Sequence, residues 1–354
     1  MTMFLLRTLS IASSRSRFPY QKNGLLFAKS LHDKTREKKI KFYFVNRYIL
    51  YLRDYEKHIE KRFPNAVGLY RSFMEGTRNF IRDVKLYYSI VRAINKKQKI
   101  LRDFTRKEIE LYDQLPRDML KLTPILLFSA LPFTNYVIFP LIYFFPKQLL
   151  SQHFWSIQQR VDFSRSFLHD RLLHNKPIFR HLQEQLSKLK GHELYEPWRD
   201  ILGKIGSGVQ PDVDQILQCR DLFINEPYNL SYLRGNHIKH LLRLHNMNTS
   251  FWFRRGRLAD KALILKEMDL AILREGGVHN MPIEALKMSC YIRGLNPTNM
   301  KNEDMINWLN KWIQVSKSID HDSASLLLHS PILLGYNESS NWTLIYANER
   351  KQIL

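Results

Sequence analysis

Residues 122–146 read LTPILLFSALPFTNYVIFPLIYFFP, from Leu122 to Pro146: 25 positions without a charged side chain, bracketed by Lys121 and Lys147. About 20 apolar residues cross a hydrocarbon core, and no other stretch of the chain is comparable. Pro124, Pro132, Pro140 and Pro146 interrupt it. Each interior proline removes a backbone hydrogen bond, which a membrane helix tolerates when its neighbours satisfy the freed carbonyls. The stretch predicts one kinked transmembrane helix, roughly Leu120 to Phe145. The alternative is a buried hairpin broken near Pro132. Thr134 and Asn135 are the only strongly polar residues near its middle. Coupled ion transport usually needs an ionisable group at membrane depth, so the segment argues against a self-sufficient transporter.

Outward from this stretch the charge is uneven. The chain has 354 residues, 55 Lys+Arg and 33 Asp+Glu, a balance of +22. Residues 1–150 hold 29 basic and 12 acidic side chains (+17), and residues 151–354 hold 26 and 21 (+5). Such an excess draws polyanions, whether RNA or an anionic bilayer. A hydrophobic content of 44% excludes a disordered chain, and two cysteines exclude a disulfide scaffold or a four-cysteine zinc site.

Residues 1–32 contain no Asp or Glu but carry Arg7, Arg15, Arg17, Lys22 and Lys29 among several serines. That is the composition of a mitochondrial transit peptide, or of a basic tail. Residues 33–102 form a basic amphipathic helical region. One pattern runs Val45, Tyr48, Ile49, Leu52, Tyr55, Ile59 and stops at Pro64. A second runs Tyr70, Phe73, Thr77, Phe80, Ile81, Val84, Tyr87, Tyr88, Val91, Ile94. Such helices can lie in a membrane interface or pair as a hairpin. Residues 103–146 hold a capped helix and the membrane segment: Thr105 and Glu108 form a capping box, and Pro116 marks an expected break or kink.

After the span, helical stripes succeed one another. Ile157, Val161, Leu168 and Leu172 form the first; Trp198, Ile201, Leu202 and Ile205 another; Leu233, His237, Leu241 and Leu244 a third. Leu258, Leu265, Met268 and Ile272 follow, ended by Gly276-Gly277, then Met305, Trp308, Leu309, Trp312 and Ile313. Ser323 is expected to cap a last short helix through Leu326-Leu327-Leu328. Some nine helices make one all-α domain over residues 147–336, followed by a tail, 337–354.

The chemistry sought is mostly missing. Gly203-Lys204-Ile205-Gly206-Ser207-Gly208 lacks the P-loop spacing and reads as a helix stop. His237, His240 and His245 lack a zinc-site spacing and read as an amphipathic face with partly exposed histidines. Cys219 and Cys290 fall on apolar stripes as small core residues. No calcium loop occurs. The expectation is a non-enzymatic protein without metal or cofactor. The exposed basic candidates are Arg254, Arg255 and Arg257, with Lys239 and Arg243. They offer contacts to ribosomal RNA phosphates or an acidic protein, or form a solvated turn.

Asp103-Phe104-Thr105-Arg106-Lys107-Glu108, Leu122-Thr123-Pro124, Leu131-Pro132-Phe133, Pro140 and Phe145-Pro146 resemble the membrane signature of the LETM-domain family. Leu286-Lys287-Met288-Ser289-Cys290-Tyr291-Ile292-Arg293-Gly294-Leu295, Trp308-Leu309 and Ser325-Leu326-Leu327-Leu328 resemble its C-terminal end. The resemblance spans roughly 103–336. The chain lacks the EF-hand and long coiled coil of full-length members and is similar to the short ones.

The resemblance implies an all-α chain: a single transmembrane helix in the mitochondrial inner membrane, then a matrix-facing, 14-3-3-like domain of ribosome-binding type. It also implies links to cation/proton exchange, mitochondrial morphology and membrane-protein biogenesis. Full-length members carry an acidic residue where this chain has Asn135, which puts exchange activity in doubt. The positive-inside rule alone would place the basic N-terminal half in the matrix; the family orientation is the reverse, with basic helices meeting cardiolipin. The expected function is an anchor or scaffold whose helical domain binds the mitochondrial ribosome or inner-membrane assembly factors, a homo-oligomer being left open. The alternatives are a potassium or calcium/proton exchanger or its accessory subunit and, more remotely, a nucleic-acid-associated regulator built on Pro282–Gly294 and Asn302–Ser316.

Overall fold

The computed structural model describes residues 64–129, 141–142, 144–250 and 252–352. The transit-peptide segment, the pattern from Val45 to Ile59, and Pro132, Asn135 and Pro140 lie outside the described residues. The described residues are helical, with no strand among them. In chain order the helices are α1 (Pro64–Asn95), α2 (Arg106–Ser129), α3 (Pro146–Leu149), α4 (Ile157–Leu172), α5 (Asn175–Gln185), α6 (Tyr195–Gly206) and α7 (Val213–Gln218). Then come α8 (Gly235–Leu244), α9 (Arg254–Arg274), α10 (Ile283–Ile292), α11 (Asn302–Lys317), α12 (Ala324–Gly335) and α13 (Ser339–Gln352). Short 3-10 turns join several of them. The chain divides into two compact units: Met1–Arg82 with Asp118–Ser156, and Asp83–Arg117 with Ile157–Leu354.

In the first unit the chain passes closely by Gly76. A Cβ there would stand 2.4 Å from the His153 carbonyl oxygen, so no larger residue fits without backbone movement. Phe80 meets His153 edge to face at 5.5 Å, and Trp155 Nε1 donates to the Pro146 carbonyl at 3.2 Å. No helix of the described residues is long and apolar enough to cross a membrane.

The predicted box opens α2. The Thr105 amide donates to Glu108 Oε2 at 2.9 Å, and the Glu108 amide donates to Thr105 Oγ1 at 3.3 Å. The expected break at Pro116 does not occur, since α2 is continuous from Arg106 to Ser129. A helical proline costs one hydrogen bond, and burial of the adjacent Leu115 helps hold the helix through it.

The second unit is built around α12. Every residue from Ser325 to Gly335 is buried. Leu326, Leu327, Leu328, Ile332, Leu333 and Leu334 each contribute about 1.5–3 kcal/mol by burial. The helix has no polar face because α5, α9 and α11 pack around it. α12 is thus the hub of the unit, not a short last helix. The predicted Ser323 cap is also different: its hydroxyl accepts from the Asp320 amide at 2.8 Å and makes no forward bond into α12.

The stripes of α6, α8, α9 and α11 are buried as expected, and their apolar side chains join one core except Met268, which faces a satellite cluster. The first stripe is only half right. Leu168 and Leu172 are buried, whereas Ile157 is 85% exposed and Val161 is exposed too. A stripe is buried only along the length a neighbour covers, and here the neighbour is α13, which brings Leu344 against Leu168 and Leu172. The segment expected as a tail is therefore largely helical. Residues 83–117 add a satellite core: Ile90, Phe104 and Ile109 pack on Met268 and Ala271 of α9, and Tyr87 stacks on Tyr112.

Candidate functional site

Pro227 to Ala259 contains six Lys and Arg residues and no Asp or Glu. The run covers α8, the loops on both sides and the start of α9. Motif reading finds the basic residues but misses the missing acids. The run itself carries no carboxylate, and of its six cations Arg234 is paired from outside, its Nη1 3.8 Å from Glu184 Oε2.

α8 buries His237, Ile238, Leu241, Leu242 and Leu244. This apolar face fixes the outward one, where Lys239 and Arg243 stand exposed one turn apart. Neither makes a hydrogen bond or ion pair among the described residues. Their field is visible on neighbouring rings. His174 Nδ1 and His240 Nδ1 lie 3.1 Å apart. Burial holds both imidazoles below their ordinary range, and neighbours add to it: His240 and Arg243 for His174, His181 and Lys239 for His240.

The other three candidates sit at the start of α9 and behave differently. Arg254 donates through Nε to Ser250 O at 3.1 Å and through Nη2 to Thr249 O at 2.8 Å. Arg257 Nη2 donates to Ser250 O at 2.9 Å. Arg255 reaches back to the loop before α8, donating to Leu230 O at 3.1 Å and Leu233 O at 2.9 Å. These arginines staple two loops together, with two donors of Arg254, two of Arg255 and one of Arg257 committed to carbonyls. Only Lys239 and Arg243 offer all their donors outward.

The stapled corner holds Phe253 in a left-handed conformation, φ 50° and ψ 36°. A bulky residue rarely adopts it, and it costs of order 1–2 kcal/mol. Phe253 is 83% exposed, Trp252 is 74% exposed, and Tyr232 on the loop joined by Arg255 is 59% exposed.

Of the predicted span residues, Leu122 and Pro124 lie on α2, the first buried and the second exposed, and Phe145 precedes α3 half exposed. Gly203 to Gly208 closes α6: the Ser207 amide donates to Gly203 O, and Gly208 has φ +88°. This end presents carbonyls, the wrong polarity for phosphate. Cys219 and Cys290 are buried free thiols, pushed by burial up to about 11 and about 12. Among the described residues no three His, Cys, Asp or Glu side chains are placed to hold a metal ion. The expectation of partly exposed histidines holds for His240 alone. His237 and His245 are buried, because α12 covers them and supplies His329 and the Leu328 carbonyl as partners.

Sequence reading also missed the buried charges: Arg171, Lys261, Asp113, Asp269 and Arg293. Lys261 Nζ meets Asp113 Oδ2 at 2.7 Å. Burial pushes the Asp113 carboxyl up, but Lys261 and then Arg117 outweigh it and hold it below the ordinary carboxylate range. Lys261 and Asp269 sit at core spacing within the Leu258–Ile272 stripe, and charge at an apolar register was the available signal.

Residues 104–333 match the family described as "LETM1-like, RBD". The chain is 32% identical over 285 residues to LETM1 domain-containing protein 1 of Xenopus tropicalis, covering 80% of this chain and 81% of that protein. It is 30% identical over 286 residues to the Homo sapiens protein of the same name, covering 80% and 79%. It is 26% identical over 268 residues to the mitochondrial proton/calcium exchanger protein of Drosophila melanogaster, covering 74% of this chain and 26% of that protein. The helical core, the match over more than half of its length and these relatives agree: the chain belongs to the LETM1-like family.

Proposed function

We propose that this chain is a non-enzymatic anchor of the mitochondrial inner membrane. Its apolar stretch from Leu122 to Phe145 tethers the helical unit, and that unit docks the mitochondrial ribosome or an assembly factor by charge. The observation that carries this reading is the pair Lys239 and Arg243: exposed, without a partner among the described residues, and set in an acid-free run of an otherwise nearly balanced half of the chain. Cations so placed attract phosphate by long-range field and counterion release. Family membership supports the reading, as does the mitochondrial name of one relative.

The test is co-sedimentation of the full chain with mitochondrial ribosomes across a salt series. Lys239→Gln with Arg243→Gln should weaken binding and flatten its salt dependence by roughly one unit of slope per lost phosphate contact. Because neither side chain has a partner among the described residues, folding should be untouched. Unchanged binding and slope would remove this face from the reading.

The name of the Drosophila relative favours a second reading, cation/proton exchange. Reconstituted chain should then move potassium or calcium against protons, with flux altered by substitution of Asn135. Proteoliposomes that carry no flux refute it.

A further inference from the structure

Tyr232, Trp252 and Phe253 project from two loops that Arg255 ties together, and all three are exposed. Two features separate this cluster from ordinary exposed apolar residues. Phe253 keeps an unfavourable left-handed backbone. Three arginines fix the loop that presents it through bonds to Thr249, Ser250, Leu230 and Leu233. Pre-organised aromatic area therefore faces outward at a measurable conformational cost.

From this geometry we infer that the corner is a lipid-contact site, which inserts Trp252 and Phe253 into the interfacial layer of an anionic phospholipid bilayer. Charge complementarity selects the occupant. The corner lies in the run with six basic and no acidic residues; one of the six, Arg234, pairs with Glu184, and the excess that is left attracts an acidic surface and repels a cationic one. The arginine bonding pattern selects lipid over RNA. Arginines bonded to loop carbonyls keep their positive field but are held in one orientation, so they do not swing toward individual phosphates. A headgroup layer needs a diffuse field and amphipathic rings at its depth, whereas RNA recognition needs directed donors together with stacking. The inference rests on the membrane-tether reading above, since the tether supplies the bilayer.

The test uses the full chain reconstituted into vesicles of phosphatidylcholine with phosphatidylglycerol, with and without brominated acyl chains. Subtracting the emission of Trp252→Phe from that of wild type isolates Trp252 while keeping an aromatic ring in place. The expected result is a blue-shifted Trp252 signal, lost in brominated anionic vesicles and retained in brominated phosphatidylcholine alone. A signal of equal intensity with and without bromine overturns the inference. So does equal quenching in neutral and anionic vesicles, which would remove the charge argument. Quenching by a single-stranded oligoribonucleotide with none by bromine would assign the rings to RNA instead. Flotation of the same vesicles reads the tether separately. Chain that fails to float refutes the tether, whereas chain that floats with an unquenched Trp252 refutes only the corner.

Discussion

Arg293 donates through Nε to Asp269 Oδ1 at 3.0 Å, and each of the two side chains is 1% exposed. Trp312 Nε1 donates to the other carboxylate oxygen at 3.0 Å, and Arg293 Nη1 donates to Ser289 O at 2.8 Å. Three helices, α9, α10 and α11, are thereby locked through one carboxylate. A buried pair of this kind adds little net stability against an apolar replacement, because desolvation offsets the attraction. Its removal from one side is another matter.

Asp269→Asn is therefore expected to destabilise the unit by about 3–5 kcal/mol, since it strands the Arg293 charge in the core. Asp269→Leu with Arg293→Met should cost clearly less than either single change. Denaturant unfolding of wild type, Asp269→Leu, Arg293→Met and the double variant measures this. Additive costs would show that the two residues are not coupled.

Arg171 is a second buried cation, but no carboxylate meets it. Its Nε donates to Leu244 O at 2.7 Å, Nη1 to Tyr291 O at 2.9 Å and Nη2 to Ile292 O at 2.8 Å. These carbonyls end α8 and α10, where helix dipoles place partial negative charge. A planar fork satisfies three acceptors in fixed directions, and a point ammonium on a shorter stem does not. Arg171→Lys should therefore lower the unfolding midpoint almost as far as Arg171→Met. Full stability in the lysine variant would mean that charge alone suffices.

Buried histidines predict loss of stability in mild acid. His329 Nδ1 lies 2.7 Å from Ser325 O, so it carries the proton; Nε2 then accepts from His237 Nε2 at 2.9 Å. A second proton on His329 would set two donors against each other. His245 bonds Leu328 O through Nε2 at 2.9 Å, and its Nδ1 has no partner. Burial holds His329 at about 4 and His245 at about 3, and His237 well below the usual range. The unfolded chain takes up these protons near pH 6.5 and the folded chain does not. Stability is thus complete above about pH 6.5 and falls as pH drops toward 4, by on the order of 3 kcal/mol for His329 alone. Urea midpoints measured from pH 7.5 to 4 should fall throughout the lower part of that range. A flat series would refute the neutral pairing.

The same contrast explains what the sequence made legible. Helices with one wet face, such as α6 with Trp198, Ile201, Leu202 and Ile205 or α11 with its paired tryptophans, write their burial as a period. α12 has no wet face, so no period marks its length, and only Leu326 to Leu328 stand out as an apolar run. Pro331 does not end it because neighbours on every side hold the helix. Charged core residues escaped because a stripe is read from apolar positions, and Asp269 or Lys261 becomes intelligible only beside its partner from another helix. At the basic corner the six cations were countable, but the inward bonds of Arg254, Arg255 and Arg257 depend on loops whose course no local pattern sets.

Two glycines separate backbone strain from packing. Gly208 and Gly294 share φ +88°, yet a Cβ at Gly208 would meet nothing within 4 Å, while one at Gly294 would stand 3.3 Å from Pro331 Cβ and 3.9 Å from Arg171 Nη2. Alanine at either position pays the left-handed penalty, about 1–2 kcal/mol. At Gly294 it must also move the hub helix or the guanidinium that caps α8 and α10. Gly294→Ala should therefore cost more than Gly208→Ala, and Pro331→Ala should not relieve it, since alanine keeps the Cβ that is nearest. Unfolding midpoints for the two glycine variants and the Gly294/Pro331 double variant decide the point. Equal costs at the two glycines would mean that the close approach of α12 to Gly294 places no constraint on the fold.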